Sequence, residues 1–140
     1  MQLKRDTDYA IRVLFCLKDT IVSEGGKRQI SFTLSEIASN IGLMRPTTRR
    51  ICDLLTERGL IRRSDTGAAG EIAYYAERSL LRHSLLDVIE AVESTGNILA
   101  VFDRKTHMYR NCKTELGRVR KRCERILSSA LLEDVIGKKK

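Results

Sequence analysis

The sequence predicts a mainly α fold that carries one small β-hairpin and ends in a long helix. Three observations predict it. Two amphipathic helical stretches meet at the tight turn Ile41-Gly42-Leu43, the geometry of a helix-turn-helix. A turn-rich hairpin follows the second stretch at once, as the wing of a winged helix does. Near the C-terminus, apolar residues recur in alternating steps of three and four, which is the seam of a helix with a partner helix.

Each element has its own signal. Ala10 to Lys18 carries Ile11, Leu14 and Phe15 at helical spacing, with Ala10, Val13 and Leu17 widening the stripe and Asp6 or Thr7 as expected caps. Val22 to Lys27 is loop by composition. Thr33-Leu34-Ser35-Glu36 is a capping box that opens a helix with Leu34, Ile37, Ala38 and Ile41 inward, closed by Gly42. A further helix begins near Arg45-Pro46, where a proline is tolerated because first-turn amides lack intrahelical partners. It points Ile51, Leu54 and Leu55 inward and stops at Gly59. Leu60 to Arg63 and Glu71 to Tyr75 read as strands around the tip 64–70. Ser84-Leu85-Leu86-Asp87 caps the next helix, with Leu85, Val88, Ile89 and Val92 on one side. Residues 113–136 read as one long helix whose seam is Leu116, Val119, Cys123, Ile126 and Ala130. The expected organisation is therefore a winged helix-turn-helix domain over 1–82. A linker helix, a loop at 95–112 and a dimerisation helix at 113–136 follow within 83–140.

Charge and its placement point to a partner. The chain carries 26 Lys and Arg against 18 Asp and Glu, a net charge of +8. That balance favours an anionic partner, nucleic acid before membrane surface. Residues 45–63 hold six arginines against Asp53 and Glu57. At about 100° per residue, Arg49 and Asp53 fall opposite the apolar face, with Arg45 and Pro46 on the flanks. The N-terminal half of this helix is thus expected in the major groove, where arginine pairs bidentately with guanine. Arg49 is the expected base reader, with Arg45, Thr47, Thr48 and Arg50 shared between bases and phosphates. Arg62 and Arg63, at the entry to the hairpin, suit phosphates. The bland alternative is an arginine-rich helix paired internally, Arg49 with Asp53 one turn away.

Other classes find less support. Two histidines with no nucleophile elbow, phosphate loop or metal-ligand spacing argue against an enzyme. Few aromatics argue against a base-stacking platform. No apolar run is long enough to span a membrane and no signal peptide is visible, so a cytoplasmic chain is expected. The four cysteines lack paired spacing and are expected as thiols. A protein-interaction module with weak nucleic-acid binding and an RNA-binding protein, the latter on basic patches alone, remain open. Salt-titrated DNA binding separates the first from a regulator.

Several segments resemble the Rrf-type family of winged helix-turn-helix transcription regulators. They are Thr7-Asp8-Tyr9-Ala10-Ile11-Arg12, Leu34-Ser35-Glu36-Ile37-Ala38, Gly42-Leu43-Met44-Arg45-Pro46, Gly59-Leu60-Ile61, and Ser84 through Glu93. Their order and spacing cover nearly the whole chain, and the last is the most specific. The resemblance implies a homodimeric regulator, expected as a repressor, that binds a roughly palindromic operator in double-stranded DNA. A regulatory protein or small ligand is a further candidate partner. The family's wing usually carries an arginine and several glycines. Here Thr66 stands at the arginine position, and Asp65 and Glu71 add negative charge, so a weaker wing contact is expected.

The resemblance also raises an iron–sulfur cluster as a candidate cofactor. Cluster-binding members place three cysteines before the long helix, and this chain keeps only Cys112, at the position of the third. Asp8 matches a carboxylate ligand position of one member, and His107 lies in the same loop as Cys112. Together the three fall one ligand short of the four, mostly thiolates, that a cluster takes. Cys112 has a second candidate role. With Arg110 before it and Lys113 after it at a helix start, it is placed to form a redox-reactive thiolate. Cys16 and Cys123 read as small apolar packing residues.

Overall fold

The computed structural model describes residues 5–22, 28–64, 70–93 and 115–137. Helix α1 (Arg5–Leu17) buries Thr7, Ala10, Val13, Leu14 and Leu17. The buried face is rotated from the expected stripe: Phe15 is 55% exposed, with the Lys18 ammonium 3.9 Å from its ring centre. The helices that pack on α1 from the core side take the face centred on Ala10, Val13 and Leu14. Asp6 and Thr7 lie inside the helix rather than capping it.

A short 3-10 turn (Lys18–Thr20) ends α1, and a strand β1 (Phe32–Thr33) precedes α2 (Leu34–Ile41). The capping box forms with both bonds present: the Thr33 hydroxyl accepts from the Glu36 N–H, and the Glu36 carboxylate accepts from the Thr33 N–H. Gly42 closes α2 at φ 70°, a left-handed conformation that carries no Cβ penalty in glycine. Helix α3 (Arg45–Glu57) follows after two intervening residues with Pro46 in its first turn and buries Thr48, Ile51, Cys52 and Leu55. Its hairpin is β2 (Arg62–Ser64) against β3 (Ala73–Tyr75), antiparallel with Arg63 opposite Tyr74. Phe32 pairs with Tyr74 from the other side, so the sheet order is β1-β3-β2. A two-residue strand carries no periodicity, which is why β1 was invisible in the sequence. The tip at 65–69 lies outside the described residues.

After a 3-10 helix (Arg78–Arg82), α4 (Leu85–Val92) starts at a second capping box, Ser84 with Asp87. Val88, Ile89, Ala91 and Val92 are buried, and Leu85 is half-buried. The C-terminal stretch is two helices, not the single helix expected over 113–136. These are α5 (Glu115–Ser129) and α6 (Leu132–Ile136). Tertiary hydrogen bonds divide them: the Leu85 N–H donates to the Ala130 carbonyl and the Leu132 N–H to the His83 carbonyl, both at 2.8 Å. Helix α6 then packs on α1 and the second 3-10 helix. Leu132 and Ile136 are fully buried there, and the Lys18 ammonium donates to the Ile136 carbonyl. The core joins Leu14 and Leu17 to Ile37, Ile51, Leu55, Tyr74 and Leu80.

Candidate nucleic-acid interface

Helix α3 is amphipathic, and its outer face is arginine. Arg45, Arg49 and Arg50 are exposed on it, with Pro46 and Asp53 between them. Thr47 is half-buried on its flank. Thr48 departs from expectation: it is 0% exposed. Its hydroxyl donates to the Met44 carbonyl at 2.9 Å, and its N–H reaches the same oxygen. The side chain is turned into the core, where it stitches the first turn of α3, and it drops out of the contact set.

The arginines are paired with carboxylates from four different parts of the chain. Arg45 donates to Glu71 at 3.0 Å. Arg49 reaches Asp53 at 3.6 Å, the internal pairing that was the bland alternative. Arg50 makes a fork of two 2.9 Å bonds to Asp6 of α1, which raises its already high pKa. Arg62, at the start of β2, donates to Glu77 at 2.6 Å. Arg63 is exposed beside it. All four paired arginines are half-exposed or more. Singly bonded pairs in that setting contribute at most about 1 kcal/mol, so Arg45, Arg49 and Arg62 exchange their partners readily for another anion, while the Arg50–Asp6 fork is held more firmly.

Asp53 and Glu71 also accept from uncharged donors. Asp53 accepts from the Tyr74 hydroxyl at 2.8 Å, and burial, with this bond next, pushes the Tyr74 pKa up. Glu71 accepts from both the N–H and the hydroxyl of Ser35. The Ser35 hydroxyl bond chiefly holds Glu71 below the usual carboxylate range against its partial desolvation, helped by the Ser35 N–H and Arg45. Asp6, Tyr74 and Glu77 were missed in the sequence because their partners are 15 to 44 residues away. Glu71 was noticed only as a negative charge in the hairpin.

On the inner side of α3, Cys52 is fully buried, and desolvation, then Asp53, raises its thiol pKa from 9.0 to about 12. Cys16 of α1 is half-buried, accepts from the Asn40 amide, and is likewise raised, chiefly by burial. Of the candidate sensor residues, Asp8 is exposed and paired with Arg12 at 3.0 Å, while His107 and Cys112 lie outside the described residues. Among the described residues, no group of three His, Cys, Asp or Glu side chains could hold a metal ion. The donor set of Asp8, His107 and Cys112 contains one thiolate and does not by itself fit a cluster. Thr7, one residue before Asp8, donates to the buried carboxylate of Glu93 at 2.8 Å, joining α1 to the end of α4.

On α5, Val119 is 42% and Ile126 66% exposed. Cys123 between them is half-buried, and charged residues make up most of the other described positions. The side chain of Leu116 lies outside the described residues, and Ala130 sits at the break with its carbonyl taken by Leu85. No described helix is long and apolar enough to cross a membrane.

Comparison with known proteins gives a consistent picture. A family profile described as "Rrf2: Iron-dependent Transcriptional regulator" matches residues 3–138. No curated protein sequence matches. Among solved structures, the fold is similar to oxidised Staphylococcus aureus CymR, at 18% identity and a TM-score of 0.65, covering 100% of this chain and 99% of that one. It is similar to CymR of B. subtilis, described as the global cysteine regulator, at 19% identity and a TM-score of 0.63, covering 97% and 96%. It is also similar to IscR of T. potens, at 22% identity and a TM-score of 0.65, covering 97% and 86%.

Proposed function

The chain belongs to the Rrf2 family of transcriptional regulators, and from that premise we propose that it represses transcription as a homodimer on a roughly palindromic DNA operator. The N-terminal half of α3 enters the major groove, with Arg49 reading a base edge and Arg45, Thr47 and Arg50 dividing between bases and phosphates. Arg62 and Arg63 meet phosphates beside the hairpin. The observation that carries this reading is the exposed face of α3, where three arginines sit half-exposed or more directly after a glycine-closed turn. The protein works in the cytoplasm as a non-enzymatic regulator, with residues 1–82 contacting DNA and residues 83–140 serving dimerisation and sensing. Exposed Val119 and Ile126, with Cys123, support a helix–helix seam between two copies.

Cys112 is the proposed redox input, supported by its sequence neighbours Arg110 and Lys113. A cluster held by Asp8, His107 and Cys112 needs a further ligand from the partner chain or from Cys123. The test is fluorescence anisotropy with operators selected from a random duplex library. A steep loss of affinity with salt and a retained sequence preference are expected. Weak, sequence-blind binding would instead favour a protein-interaction module. Oxidants are expected to change the affinity of the wild type and not of Cys112→Ser.

A further inference from the structure

Asp6 pairs with Arg50, and Glu77 pairs with Arg62. Glu71 is held from two helices at once: one oxygen accepts from the Ser35 N–H at 3.1 Å and from the Ser35 hydroxyl in α2, and from Arg45 at 3.0 Å in α3. The residue follows Gly70 at the hairpin's return. It therefore lies where the hairpin, the first turn of α2 and the first residue of α3 converge.

Resting on the DNA reading above, we propose that Glu71 is a resident competitor for DNA, occupying the Arg45 guanidinium until a backbone phosphate displaces it. Two donors from Ser35 keep the carboxylate seated, so the competition is built into the fold rather than left to a mobile surface pair. The same bonds lower its pKa, so it is charged at neutral pH. A phosphate approaching Arg45 meets both an occupied guanidinium and a like charge. The chain thereby gives up affinity at this edge on every duplex alike, because a phosphate contact is the same whatever the sequence.

The test uses the full chain and a fluorescein-labelled random-sequence duplex, since phosphate contacts do not depend on sequence. Glu71→Gln, which keeps the size and removes the charge, is expected to bind about fivefold more tightly. Glu71→Asp, which keeps the charge, is expected to show no such gain. In an Arg45→Ala background the gain from Glu71→Gln is expected to vanish. A merely structural Glu71 would give weaker binding on substitution, never tighter. If the Gln variant does not fold by thermal unfolding, Glu71→Ser carries the same comparison. Unchanged or weaker binding by the neutral variants overturns the inference, as does a gain that survives in Arg45→Ala. Arg49→Ala separates the two readings: if it weakens binding while Glu71 variants do nothing, only the competitor fails. If neither Arg49→Ala nor salt affects binding, the DNA reading falls and takes the competitor with it.

Discussion

Cys52 lies one residue from Asp53 on α3, yet it is fully buried on the core side. Its burial leads to a prediction about thiol chemistry. With its pKa raised from 9.0 to about 12, the thiolate fraction at pH 8 falls from about one in ten to about one in ten thousand. The thiolate is the reactive form, so iodoacetamide should alkylate Cys52 at least about a thousandfold more slowly in the folded protein than in urea. Peptide-resolved mass spectrometry over a labelling time course reads this directly. The same shift carries a stability consequence. A thiol whose folded pKa is raised keeps its proton in the native state, so its contribution is fully present below pH 9 and is lost as pH rises through about 12. Three pH units at about 1.4 kcal/mol each set an upper bound of about 4 kcal/mol. Urea titrations between pH 8 and pH 11 should show this decline in the wild type and a flatter profile in Cys52→Ala. Folded-state alkylation of Cys52 within tenfold of its unfolded rate would refute the reasoning. It would also make α3 itself a redox target.

Four other outcomes follow from particular residues. Thr20→Val keeps the shape but removes a buried hydroxyl that donates to the Leu17 carbonyl and accepts from the Ala76 N–H. A loss of about 1–3 kcal/mol is expected in urea unfolding, and a loss under about 0.5 would mean the bonds are replaced. Ser84→Ala removes the α4 cap and should cost about 1 kcal/mol. Burial opposes ionisation of Asp87, but the Ser84 N–H and the His83 side chain outweigh it and lower its pKa from 3.8. Its contribution is therefore present above that value and lost as pH falls below it, and Asp87→Asn should flatten the acid limb of a thermal stability profile. Thr48→Val should leave operator affinity within about twofold, whereas Arg49→Ala should cost about 1–3 kcal/mol and relax the preference at one base pair. A larger effect from Thr48→Val than from Arg49→Ala would reverse the assignment of these two residues.

The signals that were legible in the sequence are local. The two capping boxes, Thr33 with Glu36 and Ser84 with Asp87, are bonds across three residues, and both form as their spacing dictates. Gly42 closes α2 because a left-handed residue is needed there, and Pro46 marks the first turn of α3. The arginine face of α3 was visible from its period alone. Which face of α1 is buried was not, because Ile11 and Phe15 fit helical spacing as well as Val13 and Leu17. Only the neighbours could choose between them. Thr48 shows the same limit, since a polar residue near an arginine cluster carries no mark of being turned inward.

What the sequence by itself determined is the order of helices, the turn, the hairpin and the basic face, each specified by residues no more than a few positions apart. The tertiary structure alone decided that α5 and α6 are separate. The amides of Leu85 and Leu132 bond across the break and draw α6 back onto α1. It also decided where the arginines rest. Asp6, Glu71 and Glu77 reach them from 15 to 44 residues away. A charge pair of that separation exists only once packing has brought its elements together, because at surface exposure its own attraction is too small to have arranged them.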